Sequence, residues 1–404
     1  MEQKWDSLLT TKAKKIAIAK IDEIAIILSR SAENINDIAL MGDGAGLALF
    51  LAYYGRYKGS KEHQNCCNNV VEMILGLSIS NEPYFPFAGG ISGMCWTVQH
   101  LNDNGFIEAD IDELFSDLDA PMKDIMLRYM NESDYGYDFL HGSIGIAFYL
   151  LKRKNIKCRA YVELLFNELK KKAIVDDKNK TVKWESPAMV AFYDFGLAHG
   201  LATIVNFLSR YIDIIEDKEI PSKLLRGLIK FMRHNEQDPK IFNSYFPSKL
   251  DERDFAPNPS RLAWCYGDLG IGISLFRASE TLDDYELKTY SLKILSHAVT
   301  RIDPNDTKVE DAGLCHGAMG NALIFNRLYN MTGQEEFKKS AVYWYDVGLD
   351  MGIHKDGLAG YKAIHSGNLV NDSTFLNGIT GIGLSLISAV SNIEPRWDEC
   401  LLIS

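Results

Sequence analysis

Two short stretches concentrate the side chains able to do chemistry. They are Trp264-Cys265-Tyr266-Gly267-Asp268-Leu269-Gly270 and Leu314-Cys315-His316-Gly317-Ala318-Met319-Gly320. Cys265 and Cys315 fill one slot of a shared design, and Tyr266 and His316 fill the next. Two thiols and an imidazole, Cys265, Cys315 and His316, suit a zinc ion. Three protein ligands rather than four is the pattern of a catalytic zinc, which keeps one position open for water or substrate. The competing reading is a pair of inert, buried structural cysteines, since free cysteine is among the most buried residue types.

The elements that must position these residues are repeats. The first glycine element is Leu40-Met41-Gly42-Asp43-Gly44-Ala45-Gly46, and the second is Phe87-Ala88-Gly89-Gly90-Ile91-Ser92-Gly93. The third, Phe139-Leu140-His141-Gly142-Ser143-Ile144-Gly145, and the fourth, Gly196-Leu197-Ala198-His199-Gly200, each place a histidine before a glycine. The two cysteine stretches are the fifth and sixth, and Phe375-Leu376-Asn377-Gly378-Ile379-Thr380-Gly381 is the seventh. A short apolar run follows each element, and further helical patterns lie between copies, as at 161–172, 224–233, 285–298 and 335–351. Each unit therefore reads as a helical hairpin, with the glycines allowing inner helices to crowd at one end. The expected fold is all-α, an α/α toroid of seven hairpins forming a single domain over 1–404. That arrangement would bring Cys265, Cys315 and His316 to the same end. Two segments break the rhythm. Residues 174–184 carry a hairpin signal, and 237–260, with four prolines and several aromatics, reads as an insertion or small β-containing extension.

Composition narrows the function classes. The chain has 404 residues, 47% hydrophobic and 24% charged, which is ordinary for a folded protein. A formal net charge of -11 argues against a nucleic-acid partner, which would want a basic face. Seven cysteines without regular spacing suit a reducing compartment rather than a disulfide framework. No charged-then-apolar signal pattern opens the chain and no apolar run is long enough for a transmembrane segment, so a cytoplasmic location is expected.

The sequence resembles the lanthionine synthetase C-like family, in particular the stand-alone cyclases of class I lanthipeptide (lantibiotic) biosynthesis. The residues that carry the resemblance are Arg261-Leu262-Ala263-Trp264-Cys265-Tyr266-Gly267-Asp268, Leu314-Cys315-His316-Gly317, Gly196-Leu197-Ala198-His199-Gly200 and Tyr137-Asp138-Phe139. The resemblance implies an α/α toroid, one Zn²⁺ per chain, and addition of peptide cysteine thiols to dehydroalanine or dehydrobutyrine, giving (methyl)lanthionine rings. It also implies His199 as the proton donor to the α-carbon, because pattern alone leaves His141 in the equivalent slot. Asp138 would orient that imidazole, and Tyr266 and Arg261 would stabilise the enolate oxygen or donate protons. The implied partners are a dehydrated precursor peptide (leader plus core), a dehydratase and an ABC exporter. Such partners would hold the chain peripheral to the inner membrane face. One departure is Thr203, where the fourth element should close on glycine; tighter crowding beside His199 is expected there. Two rival readings keep the architecture. One is a thiol- or glutathione-binding regulator without cyclase activity, and the other is a different α/α toroid enzyme, a glycosidase or a zinc prenyltransferase.

Overall fold

A computed structural model describes residues 5–80, 83–187, 189–254 and 259–404. The chain divides into two compact units, one formed by the residues up to Asp117 with Val309–Leu402, the other by Leu118–Lys308.

In the first unit, α1 (Thr11–Ser31), α2 (Gly44–Lys58), α3 (Lys61–Ser80) and α4 (Ile91–Asp103) come from the N-terminal segment. The second unit follows in sequence: α5 (Ile111–Glu132) leads into it, then α6 (Ser143–Lys152) and α7 (Ile156–Lys171). After the short strands β1 (Ile174–Asp176), β2 (Thr181–Lys183) and β3 (Phe192–Asp194) come α8 (Leu201–Ile214), α9 (Glu219–His234) and α10 (Pro239–Phe242). Strand β4 (Lys249–Asp251), α11 (Asp268–Thr281), α12 (Tyr285–Val299) and α13 (Pro304–Thr307) complete that unit. The chain then returns to the first unit with α14 (Ala318–Thr332), α15 (Glu335–Asp350), the hairpin β5 (Ala363–His365) and β6 (Asn368–Val370), and α16 (Ile379–Val390).

Each of the seven glycine elements leads into one apolar helix: α2, α4, α6, α8, α11, α14 and α16. These helices are buried over most of their length; every residue of α16 is buried. Their companions are amphipathic. α12, for example, buries Leu287, Ile294 and Leu295 on one face, each contributing about 1.5–3 kcal/mol by leaving water. The hairpins pair α2 with α3, α6 with α7, α8 with α9, α11 with α12 and α14 with α15. Helix α16 packs on α1, which lies far from it in sequence. Next to this pairing, Leu8 and Leu9 N–H groups donate to the Ala389 carbonyl at 2.9 and 3.0 Å.

The glycines are dictated by backbone crowding at these turns. A Cβ on Gly320 would lie 1.9 Å from the Leu314 carbonyl oxygen, and one on Gly270 2.3 Å from that of Trp264. Alanine there would force the turn apart. Thr203 resolves the same problem differently. Its hydroxyl donates to the Leu197 carbonyl, the oxygen six residues back that excludes a Cβ in the other turns. The expected crowding is thus relieved by a hydrogen bond.

The 174–184 signal is a true hairpin, with Ile174 opposite Lys183 and Asp176 closing the turn on the Asn179 N–H at 3.0 Å. The 237–260 segment holds α10 and β4, and β4 pairs antiparallel with β3. Its Tyr245 and Phe246 N–H groups donate to the buried Asp268 at 2.8 and 3.1 Å, pinning the segment to the start of α11. Burial pushes the Asp268 carboxyl up to about 6. Residues 255–258 of that segment lie outside the described residues.

Candidate active site

The third, fourth and fifth glycine elements all belong to the second unit, and their turns bring five polar side chains together. Asp138, buried ahead of α6, accepts the His141 backbone N–H through Oδ1 at 2.8 Å. Its Oδ2 stands 2.6 Å from His199 Nδ1. His199 precedes Gly200, the N-cap of α8, and its ring stacks on that of His141 at 5.8 Å between centroids. On the other side lies Tyr266, ring centroid 6.2 Å from His199. Gly196 makes this approach possible, because a Cβ there would sit 2.8 Å from the Tyr266 ring.

The two imidazoles are driven apart in basicity. Burial works against the His199 imidazolium, but the hydrogen bond and charge of Asp138, with Asp194 behind it, outweigh burial and leave its pKa above the ordinary 6.5. For His141, burial dominates and the neighbouring His199 adds to it, so its pKa falls. With Nδ1 committed to Asp138, Nε2 is the His199 nitrogen that remains for other work.

Asp194 is a residue that sequence reasoning missed. Its Oδ2 accepts the Tyr266 hydroxyl at 3.0 Å and its Oδ1 the Gly196 N–H at 2.7 Å. Burial raises its pKa, and burial followed by the Asp194 charge pushes the Tyr266 phenol well above its usual value. Tyr266 is therefore a neutral hydrogen-bond donor near pH 7. A signal was present in the sequence. Asp194, Asp311 and Asp372 each stand six residues before Gly200, Gly317 and Gly378. Each uses Oδ1 to hold the N–H two residues on, at 2.7, 3.0 and 2.7 Å. A Cβ on the matching glycine would come within 2.4, 2.5 and 2.4 Å of that same oxygen.

Arg261 is placed differently from the other expected residues. Its guanidinium donates to the Lys308 carbonyl at 3.2 Å and has no carboxylate partner among the described residues. It shares with Tyr266 and Asp194 a cavity of about 390 Å³, also lined by Phe192 of β3. Cys265 is buried just before α11, and its carbonyl accepts the Leu197 N–H at 2.9 Å, locking the fifth element to the fourth.

In the first unit, Cys315 and His316 precede Gly317 at the start of α14, where the Cys315 N–H donates to the Leu376 carbonyl at 3.1 Å. His316 Nε2 lies 3.8 Å from Asp311 Oδ2, beyond hydrogen-bond distance. Asp311 is buried and fixed by the Ile364 N–H at 3.1 Å. Thiols before a helix start suit thiolate chemistry, because the positive end of the helix favours negative charge. Burial pushes the Cys67 and Cys158 thiols up to about 12.

Residues 36–402 match the family model described as lanthionine synthetase C-like protein. The chain belongs to the lanthionine synthetase C-like family. Within that frame it is 22% identical over 389 residues to "Nisin biosynthesis protein NisC" of Lactococcus lactis subsp. lactis, covering 89% of this chain and 87% of that one. The solved structure of a "Nisin cyclase" superposes with a TM-score of 0.75 at 21% identity, covering 96% of this chain and 98% of that one. That likeness carries the fold, an α/α toroid, in agreement with the repeat pattern of the sequence. The matched span holds all seven glycine elements.

Proposed function

We propose that this family member is a zinc-dependent lanthipeptide cyclase, adding peptide cysteine thiols to dehydroalanine or dehydrobutyrine. The observation that carries the reading is a donor set and a proton donor present together in a matched family member. Cys265, Cys315 and His316 are the donor set we assign to one metal ion. Two thiolates and an imidazole fit zinc, and three protein ligands leave a fourth position for a substrate sulfur. Bound by that trio, zinc would supply the Lewis acidity that holds a peptide thiol as thiolate at neutral pH.

The chain's own residues do the rest. In the addition, a sulfur–Cβ bond forms, the C=C electron pair moves toward the carbonyl as an enolate, and a proton must return to Cα. His199 gives that proton from Nε2. Asp138 holds Nδ1 and favours the charged ring, the arrangement a general acid needs near neutral pH. Arg261, without a carboxylate of its own among the described residues, is the cation for the developing enolate oxygen. Tyr266 is the neutral donor beside it once its single O–H turns from Asp194 to that oxygen.

The substrate is a precursor peptide whose serines and threonines have already been dehydrated. A dehydratase must precede this enzyme and an exporter must follow it, in one cytoplasmic assembly at the inner membrane face. No helix among the described residues is long and apolar enough to cross a membrane. The test uses a dehydrated cysteine-containing peptide, thiol alkylation and mass spectrometry. The zinc-loaded protein should remove alkylatable thiols without changing peptide mass, and chelation should stop this. Thiols that stay free with the loaded protein would rule out the cyclase reading.

A further inference from the structure

Helix α9 carries two faces of opposite character. Leu224, Leu225, Leu228 and Met232 are buried, whereas Lys223, Arg226, Lys230 and Arg233 recur three or four residues apart as a basic stripe. Strand β2 packs on this helix so closely that a Cβ on Gly227 would meet Val182 at 2.4 Å. Between hairpin and helix lies a groove of about 860 Å³ lined by Val175, Val182, Lys180, Lys218, Lys223 and Lys230, among others. A second cavity of about 490 Å³ continues it along α9, the two sharing Arg226 and Lys230.

The charges here are unbalanced. Arg226 and Arg233 are paired with Asp284 and Glu286 near the start of α12. Lys180, Lys218, Lys223 and Lys230 are exposed and have no ion-pair partner among the described residues. Only Asp177 and Glu219 bring negative charge to the wider groove. A concentration of bare lysines in a chain of net charge -11 is a local inversion of the protein's field. Beside it, β1 is exposed at all three residues and belongs to a two-stranded sheet, with Val175 52% exposed. An apolar strip flanked by lysines fits an extended chain with alternating apolar and acidic side chains.

We propose that this groove holds an acidic, extended segment of the substrate peptide lying outside the part that receives rings. This rests on the cyclase reading and adds the peptide's docking point to it. The groove shares no lining residue with the cavity of Arg261 and Tyr266. A peptide anchored there keeps its reactive part free to present one cysteine after another, and the local concentration of those cysteines rises through tethering.

The test is fluorescence anisotropy on the full chain. The probe is a short labelled peptide alternating Glu with Val or Leu and lacking Cys, Ser and Thr. The comparison is the same peptide with Lys in place of Glu. The acidic peptide should bind the wild-type protein and weaken as ionic strength rises from about 0.05 to about 0.5 M. The double variant Lys223→Glu/Lys230→Glu should weaken binding about tenfold or more, equivalent to about 1.4 kcal/mol. Lys180→Glu/Lys218→Glu should do the same and guards against a folding defect in the first variant. Equal binding of acidic and basic peptides, unchanged affinity in both variants, or retention of RNA or anionic vesicles in place of the acidic peptide would overturn the proposal. Ring closure on a dehydrated peptide lacking the acidic stretch should be the same in wild type and both variants. Absence of ring closure in the wild type would strike at the cyclase reading, while the anisotropy result would still judge the groove.

Discussion

His141 and His199 occupy the same slot of two successive glycine elements, and their rings stack, yet they are different chemical groups. The difference is made by one carboxylate. Asp138 turns Oδ2 to the His199 ring and Oδ1 to the His141 main chain. His199 thereby gains a hydrogen-bonded charge partner that raises its pKa, whereas for His141 burial, with the neighbouring His199, outweighs the Asp138 charge and lowers it. A repeat can thus present the same residue type twice and assign the chemistry through what a neighbouring turn supplies.

The comparison can be broken most directly at His199. His199→Asn keeps much of the volume and removes the titratable ring, so ring closure should slow by about 10²–10⁴-fold, as for lost general acid–base catalysis. Zinc content should stay unchanged, as metal analysis would show. Asp138→Asn should have a smaller effect. It weakens a hydrogen bond to a charged group, worth about 1.5–3 kcal/mol, or about ten- to a hundredfold in rate. It also carries a pH signature. His199 must be protonated to donate, so activity should fall as pH rises through its pKa, which lies above the ordinary 6.5. Removing the Asp138 charge lowers that pKa, and the alkaline limb of the rate profile should move to lower pH. A limb that stays in place would detach Asp138 from the proton donor. His141→Asn should change turnover least, within about twofold, since surrounding groups keep the site's shape. A loss as large as that of His199→Asn would erase the distinction between the two rings.

How much of this was legible in the sequence follows from the range of the interactions. The glycine elements and inner helices could be read because crowding at a turn is local: Gly320 is excluded from bearing a Cβ by a carbonyl only six residues away. The proposed ligand trio was suggested by the repeat itself, since Cys265 and Cys315 fill one slot and His316 the next. The hairpin at 174–184 closes on itself and was equally visible. Long-range pairings were not. Nothing near residue 250 announces that β4 pairs with β3 more than fifty residues upstream, nor that α16 packs on α1. Asp194 was passed over because its repeat is one of loop construction; only its second oxygen, on Tyr266, gives it a place beside the site. Thr203 is legible as an exception, but its remedy, a hydroxyl bonded to the obstructing carbonyl, exists only in the folded turn.

The division of labour between metal ligands and proton donor is the central claim, and one paired measurement tests it. Cys315→Ala and His199→Asn are purified in parallel, and zinc content is measured beside thioether formation on the same dehydrated peptide. The account predicts that Cys315→Ala loses most of its zinc and all ring closure, while His199→Asn keeps about one zinc per chain and loses only ring closure. Full zinc in Cys315→Ala, or loss of zinc in His199→Asn, would contradict it.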